Sequence, residues 1–329
     1  MNFAFAGSPQ FAAWVLSDLD GLGRRPSLVI SQPDKPKGRG LRPSPPPAAA
    51  EAARLGLECL QTDDINSPAV LERLRAAGAS TLVVAAFGQL LSPSLLEGVL
   101  CLNIHASLLP AYRGAAPIER ALAAGEALTG VTIMRVTQAL DQGPWAVQTS
   151  VSIGLRDDAG SIARILALLG ATGIDQVLTG LDDGTLVWHE QEGESRYAAK
   201  LCPEDCRFDA SAGAKAVHDR VRSLSPAIGT RATAGSLQLK IWRTWPYGQP
   251  GLRPVPAGAL AVSGDPGRVV TAGGRLFVGC GEGVVEVLEV QPAGKSKMDT
   301  AAFLRGYGGR VPERLEFEPG RRMRGRDEQ

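Results

Sequence analysis

The sequence predicts an α/β domain built on a mostly parallel sheet, followed by a small β-barrel domain. Three observations carry this. Residues 1–188 alternate short apolar runs with helical patterns, the texture changes near residue 189, and beyond it short apolar runs are separated by Gly and Pro. Alternating strand and helix signals imply βαβ units and a parallel sheet. Evenly spaced short strands with Gly/Pro turns imply a barrel. The length, 329 residues, suits two domains of roughly 150 residues each.

Residues 2–6 read as a strand, and Gly-Ser-Pro at 7–9 turns into a helix over 11–19. Residues 27–31 read as a second strand, 45–55 as a helix and 57–60 as a short strand. A helix over 69–77 leads into a buried-type strand over 80–87, STLVVAAF. Leu100–His105 is another strand, followed by a loop and a helix over 117–124. Residues 131–136 and 145–153 read as two more strands, and 158–181 as a long helix, apolar at Ile162, Ile165, Leu166 and Leu169. Residues 189–206 are first charged and then without period, and read as a linker. It divides a domain at 1–188 from one at 207–318, which a basic tail at 319–329 follows. The second domain reads as a helix over 214–224 and strands at 237–242, 259–261, 268–271, 275–278 and 284–291.

Hydrophobic residues make up 44% and charged residues 21%, so each domain can bury a core. Collagen-like, coiled-coil and fully disordered classes are excluded. No stretch of 18 apolar residues appears, so no membrane span is expected. The N-terminus lacks a basic head and reads as a strand, not a signal peptide. Cys59, Cys101, Cys202, Cys206 and Cys280 are odd in number and mostly sit in apolar runs, which fits a reducing cytoplasm. Cys202 and Cys206 are not followed by a second pair at zinc-like spacing, so no metal is expected.

The net charge of +1 argues against a nucleic-acid partner until the chain is divided. Residues 207–329 carry 19 Lys+Arg against 12 Asp+Glu, a net of +7, and residues 1–206 carry 16 against 22, a net of −6. The basic part is either a surface for a phosphate backbone or ordinary surface variation.

The densest chemical signal is CLNIHASLLPAYRGAAPI, residues 101–118. Asn103 and His105 are two apart in a strand, so their side chains share one face. They lie at the carboxyl end, where α/β sheets bind ligands. A polar residue and a titratable one ahead of a Gly/Pro-rich loop make a poor core strand. Asp141 follows in QALDQGP, a turn between two strands. Such an acid is often only a turn former; beside His105 it would orient the imidazole. The three suit acyl-type transfer. Asn103 would donate to a developing oxyanion, His105 would stabilise charge or move a proton, and Asp141 would support it. No Ser or Cys sits in an elbow motif, so attack by a substrate amine is more natural than a covalent acyl-enzyme.

These residues resemble the methionyl-tRNA formyltransferase family. The resemblance runs through FAGSPQFA, SQPDKPKGRG, VVAAFGQLL, NIHASLLPAYRGAAPIERAL, TGVTIM, LDQG, YAAKL and QPAGKSKM, in order along nearly the whole chain. The Asn-x-His plus Asp set is common to all 10-formyltetrahydrofolate-dependent transferases, whereas RGAAPI, PDKPKGRG and QPAGK are more particular to the tRNA enzymes. The resemblance implies a Rossmann-like first domain that binds 10-formyltetrahydrofolate and an OB-like second domain that contacts initiator methionyl-tRNA. Asn103, His105 and Asp141 match the catalytic trio, and Ser107, Leu108, Leu109 and Pro110 the folate-contacting loop. Lys35, Lys37, Arg39 and Arg42 lie in the loop matching the family's insertion that reaches the acceptor end of the tRNA. After GRG that loop reads LRPSP, shorter than is usual in the family. The resemblance also implies a monomer.

Lys295 and Lys297 form a basic turn suited to phosphate contact, or are surface lysines. Arg321, Arg322, Arg324 and Arg326 make an RNA-contacting or merely solubilising tail. Trp242, Trp245 and Tyr247 are either a stacking platform or barrel core. Two other functions stay open: a formyltransferase for a small amine such as an amino sugar or purine precursor, and a folate- or RNA-binding module without catalysis. A small acceptor gives no reason for a basic loop, and binding alone does not need Asn, His and Asp together.

Overall fold

The computed structural model describes residues 1–37, 42–235, 237–311 and 313–315. The chain opens with β1 (Phe3–Gly7), α1 (Gln10–Gly21) and β2 (Leu28–Ser31), then a hairpin of β3 (Lys35–Lys37) and β4 (Arg42–Ser44). There follow α2 (Pro47–Arg54), β5 (Cys59–Gln61), α3 (Pro68–Ala76), β6 (Thr81–Ala85), α4 (Pro93–Gly98), β7 (Leu100–His105), β8 (Arg113–Gly114), α5 (Pro117–Ala123), β9 (Leu128–Arg135), β10 (Trp145–Ser152), α6 (Ala159–Asp183) and β11 (Tyr197–Ala198). The chain divides into two compact units. The first holds Met1–Ile118, Leu128–Ile153 and Ser161–Ala199, and the second Glu119–Ala127, Gly154–Gly160 and the chain from Lys200 onward.

The first unit is Rossmann-like. Its seven-stranded sheet has the order β10-β9-β7-β6-β1-β2-β5. The five strands from β5 to β7 are parallel, and β9 and β10 add an antiparallel edge. From β1 the chain moves outward to β2 and β5, then returns to β6 on the other side of β1, which makes a topological switch point. On one face Ala4, Ala6, Leu28, Ile30, Leu82 and Val84 pack with Val70 and Leu74 of α3 and Leu95 of α4. The other face carries α1 and α6, which Asp18 and Arg164 tie together at 2.5 Å.

Two glycines of α6 fix the orientation of β7. A Cβ on Gly170 would stand 2.6 Å from Ile104 Cγ2, and one on Gly173 would stand 2.8 Å from Ile133 Cγ1. Three apart on a helix, the glycines make one notch that receives an isoleucine from each of two adjacent strands. Ile104 is buried there. Since side chains alternate along a strand, Asn103 and His105 must face the opposite side. By length and composition α6 is apolar enough to cross a membrane, but half of that window is buried in the protein.

The second unit contains α7 (Ala214–Ser223), β12 (Thr230–Ala234), β13 (Leu237–Tyr247), β14 (Val269–Ala272), β15 (Arg275–Gly279), β16 (Val284–Pro292), β17 (Met298–Asp299) and α8 (Thr300–Tyr307). Its strands form an antiparallel sheet in the order β12-β13-β16-β15-β14, with β17 added to β16. The sheet wraps a core of Leu239, Ile241, Val278, Val285 and Val287 with Val217 and Val221 of α7 and Phe303 of α8. Each such buried side chain contributes about 1.5–3 kcal/mol. This is the OB-like domain.

One expected strand is absent. Residues 259–261 lie in a 3-10 helix, Ala257–Val262, that begins after Pro256. Ala259 and Val262, three apart, are its buried residues and pack with Tyr247 and Phe277. That spacing suits three residues per turn, and short apolar runs are ambiguous in periodicity. Strand β12 and helices α4 and α8 were not expected. The last two start at side-chain caps, Ser92 and Asp299.

α7 holds residues 154–157 through two side chains one turn apart. His218 Nε2 donates to the Leu155 carbonyl at 2.8 Å, and Nδ1 lies 3.0 Å from Thr244 Oγ1. Arg222 donates to the carbonyls of Gly154 and Asp157 and pairs with Asp219 at 2.8 Å. Burial lowers the His218 pKa, with Arg222 and Lys215 in the same sense, while the Leu155 bond and Asp219 act in the opposite sense. The unfolded chain therefore takes up the proton first as pH falls. The stability from neutral His218 is complete above about pH 6.5 and declines below it. The thermal midpoint should thus drop between about pH 7 and about pH 5, and His218→Gln should start lower but show a flatter drop. Equal slopes in the two proteins would remove His218 as the cause.

Candidate active site

β7 runs parallel to β6 and antiparallel to β9, with Asn103 opposite Met134 and His105 opposite Thr132. His105 is buried and Asn103 half-buried. The turn between β9 and β10 folds back onto their face. Asn103 Nδ2 lies 3.4 Å from Asp141 Oδ1, a long hydrogen bond, and His105 Nδ1 lies 3.7 Å from Asp141 Oδ2. The other ring nitrogen, Nε2, is 2.9 Å from the Tyr112 carbonyl oxygen. A carbonyl only accepts, so Nε2 carries the hydrogen. Nδ1 is then the nitrogen that faces the corner shared with Asn103 and Asp141. Asp141 Oδ2 also accepts a bond from Gly114 N at 2.9 Å.

The backbone here is strained. Ala86, Tyr112 and Asp141 are the non-glycine residues with left-handed φ among the described residues, at 49°, 61° and 51°. Each such residue costs on the order of 1–3 kcal/mol and persists only where its surroundings enforce it. Tyr112 supplies the acceptor for His105, Asp141 supplies the carboxylate, and Ala86 follows β6 beside β7. At Gly143 a Cβ would overlap the Arg135 carbonyl oxygen, so the LDQG turn requires its glycine.

The Ser107–Pro110 stretch follows β7 directly. Ser107 and Leu109 are buried, and Leu108 and Pro110 half-buried. Thr132 Oγ1 donates to the Ser107 carbonyl at 2.7 Å and accepts from Leu109 N at 3.1 Å. Gln148 Nε2 donates to the Leu109 carbonyl at 2.8 Å. Much of the polar capacity of this stretch is thus used internally, and Leu108 and Pro110 remain as an apolar wall. Exposed Leu140, beside Asp141, adds apolar surface. Such surface suits the flat ring system of a folate, held chiefly by apolar contact. Leu140 stands in the LDQG motif, but no periodicity marks it as a contact residue.

Of the expected basic residues, Lys35 is exposed and donates to Gln32 Oε1 at 2.7 Å. Lys37 lies opposite exposed Arg42 in the β3–β4 hairpin. Arg39 and the four tail arginines lie outside the described residues. Lys295 and Lys297 are exposed. Lys297 Nζ stands 3.4 Å from the centre of the Trp242 ring, and Lys240 Nζ 5.2 Å from it. Trp242 and Tyr247 are buried, so the core alternative holds for them. Trp245 is half-exposed in a cavity of about 340 Å³ within the second unit. Arg156, 5.9 Å from the Trp245 ring, Arg243 and Arg253 line the same cavity. Arg243 stands in the run WRTW, two residues before Trp245, whereas Arg156 comes from a distant part of the chain and carries no signal in its sequence. Only folding brings Arg156 to that aromatic ring.

A family described as formyl transferase matches residues 1–187, and one described as formyl transferase, C-terminal domain, matches 200–308. A methionyl-tRNA formyltransferase of Methylobacterium sp. (strain 4-46) is 39% identical, over 98% of this chain and 99% of its own length. Those of Rubrobacter xylanophilus and Thermus thermophilus are 44% and 40% identical, over 93% and 94% of this chain and 97% of theirs. The chain belongs to the methionyl-tRNA formyltransferase family. Among solved structures, HypX from Aquifex aeolicus in complex with tetrahydrofolic acid has a TM-score of 0.62 at 16% identity, over 95% of this chain and 48% of HypX. The chain spans about half the length of HypX. An N-formyltransferase from Helicobacter canadensis with folinic acid and dTDP-3-aminofucose has a TM-score of 0.60 at 14% identity, over 91% of this chain and all of that one. These two likenesses concern the fold. The methionyl-tRNA formyltransferases match this chain across both domains at 39–44% identity.

Proposed function

We propose that the protein transfers the formyl group of 10-formyltetrahydrofolate to the α-amino group of initiator methionyl-tRNA. The carrying observation is the convergence of Asn103, His105 and Asp141 in a chain whose relatives over nearly its full length are methionyl-tRNA formyltransferases. A reducing cytoplasm is the matching compartment, since Cys59, Cys101, Cys202, Cys206 and Cys280 are free thiols. The chain acts as a monomer.

The residues perform the following work. Asn103 Nδ2 donates to the formyl oxygen as negative charge develops on it. His105 Nδ1 carries the proton lost by the attacking amine toward the departing folate nitrogen, while Tyr112 holds Nε2. Asp141 faces the imidazolium formed on the way and keeps the ring oriented. A C–N bond to the methionyl nitrogen forms, the C–N bond to the folate breaks, and tetrahydrofolate leaves with the proton. Leu108 and Pro110 form the wall against which the folate rests, and Ser107 and Leu109, buried behind it, hold that stretch in place.

For the RNA, the basic second unit supplies Lys295, Lys297 and the Arg156–Arg243–Arg253 group around Trp245. Lys35, Lys37, Arg39 and Arg42 serve the acceptor end. Arg243 and Arg253 have no ion-pair partner among the described residues. Unpaired guanidinium groups beside a half-exposed indole suit phosphate and a stacked base. A small amine acceptor would leave that group without use.

His105→Ala and Asp141→Asn should each lower transfer about 10²–10⁴-fold, the usual scale for removal of acid–base or charge-stabilising groups. Near-normal turnover in both would remove the trio from the reaction. Labelled formyl should pass from 10-formyltetrahydrofolate to charged initiator tRNA and not to uncharged tRNA or an amino sugar; preference for the amino sugar would favour the alternative acceptor. Tightness for tRNA should fall steeply with salt. Arg243→Ala with Arg253→Ala should flatten the log–log salt slope by about one unit for each phosphate these arginines neutralise. An unchanged slope would mean that they do not touch RNA.

A further inference from the structure

The segment beyond α6, which the sequence marks as a linker, is fastened to the loops that orient the reacting groups. His189 exchanges two backbone hydrogen bonds of 2.8 Å with Trp145 and stacks on its ring at 4.6 Å. Further along, β11 pairs in parallel with β8, and Arg113 N donates to the Arg196 carbonyl at 2.9 Å. Between these anchors Gln191 reaches inward. Its Nε2 donates to the carbonyls of Asp141 at 2.9 Å and Gly143 at 2.8 Å. Its Oε1 accepts from Arg113 Nε at 3.1 Å and from Nη2 at 2.7 Å. One amide thereby joins the turn that carries the carboxylate to the loop that carries its partners. That loop provides the Tyr112 carbonyl for His105 and the Gly114 N–H for Asp141.

We infer that Gln191 is a positioning residue for formyl transfer, holding Asp141 and, through Arg113, the backbone acceptor of His105. The inference rests on the reading of Asn103, His105 and Asp141 as the reacting groups. Gln191 itself is directed to backbone and to Arg113, so it acts through them. Its amide is matched to both neighbours: the turn needs a two-hydrogen donor, the arginine an acceptor. Asp141 and Tyr112 both have left-handed backbone, so each loop would relax toward ordinary φ once that amide is removed.

The test compares wild type with Gln191→Ala and Gln191→Glu in two readouts. The first is kcat and the KM for 10-formyltetrahydrofolate. The second is the ¹⁵N signals of the His105 ring, assignable because the chain has three histidines. Glutamate keeps the bonds from Arg113 but cannot donate to the two carbonyls. Both variants should lower kcat about 10–100-fold, as for reacting groups displaced by about an ångström or less. The folate KM should stay nearly constant, and the His105 signals should move in both. Unmoved signals with unchanged kcat in Gln191→Ala would overturn the inference. So would a Gln191→Glu protein equal to wild type, because the residue would then only anchor Arg113. The ring signals do not depend on the acceptor. If they move while wild type fails to formylate methionyl-tRNA, the positioning stands and the acceptor assignment falls.

Discussion

The seating of Ile104 in the Gly170–Gly173 notch of α6 decides which way β7 faces. Strand side chains have a period of two, so a slip of one residue would turn Asn103 and His105 into the helix and Ile104 toward the substrate side. Such a slip would bury an amide and an imidazole against apolar groups and expose an isoleucine. Each polar group buried without a partner costs about 1–3 kcal/mol. The notch therefore holds register by hydrophobic packing on the face of the strand opposite Asn103 and His105. Ile133 occupies the second glycine, so β9, which carries Thr132 to the Ser107–Pro110 stretch, is set by the same helix.

The Asn103–His105 pair was legible in the sequence because its spacing is local. Asn103 and His105 are two apart in a strand, and Asp141 stands in a turn whose glycine has a steric reason. Gln191 was not legible. Its partners lie about 50 and 80 residues away, and no periodicity marks a glutamine in a charged stretch. Chemistry that depends on one strand shows in one strand, whereas chemistry assembled by loops shows only after folding. The same limit explains Arg156, which reaches Trp245 from a distant part of the chain. Main strands and long helices were readable from apolar period. The 3-10 helix at Ala257–Val262 was not, because six small apolar residues satisfy several periods at once.

Charge illustrates how a sum can hide an arrangement. The chain total of +1 is compatible with almost any partner, but the part after residue 206 is +7 and the part before it −6. Within the basic part, not every cation is available. Arg275 pairs with Glu286 at 2.5 Å, Arg220 with Asp205, and Arg222 with Asp219. Burial opposes ionisation of Asp205, but its bonds from Arg120 and Cys202 outweigh this and hold the carboxyl well below the usual range. Those arginines serve the fold. Cations without an ion pair among the described residues, Arg243, Arg253 and Lys295 among them, add to the field an approaching polyanion would meet.

The strain at Tyr112 and Asp141 gives the loops around the trio their purpose. Two left-handed residues together oppose the folded arrangement by on the order of 2–6 kcal/mol, a large share of an ordinary domain's stability. The Gly114 N–H, the Gln191 amide and the β8–β11 pairing offset that cost with bonds of about 0.5–1.5 kcal/mol each. No single bond suffices, which is why the holding bonds come from several chain segments. The gain is preorganisation. On the proposed reading, Asn103, His105 and Asp141 are set before substrate arrives, so little of the binding energy of a folate or an RNA is needed to align them. Removing any one of these bonds should therefore cost the reaction more than it costs the fold.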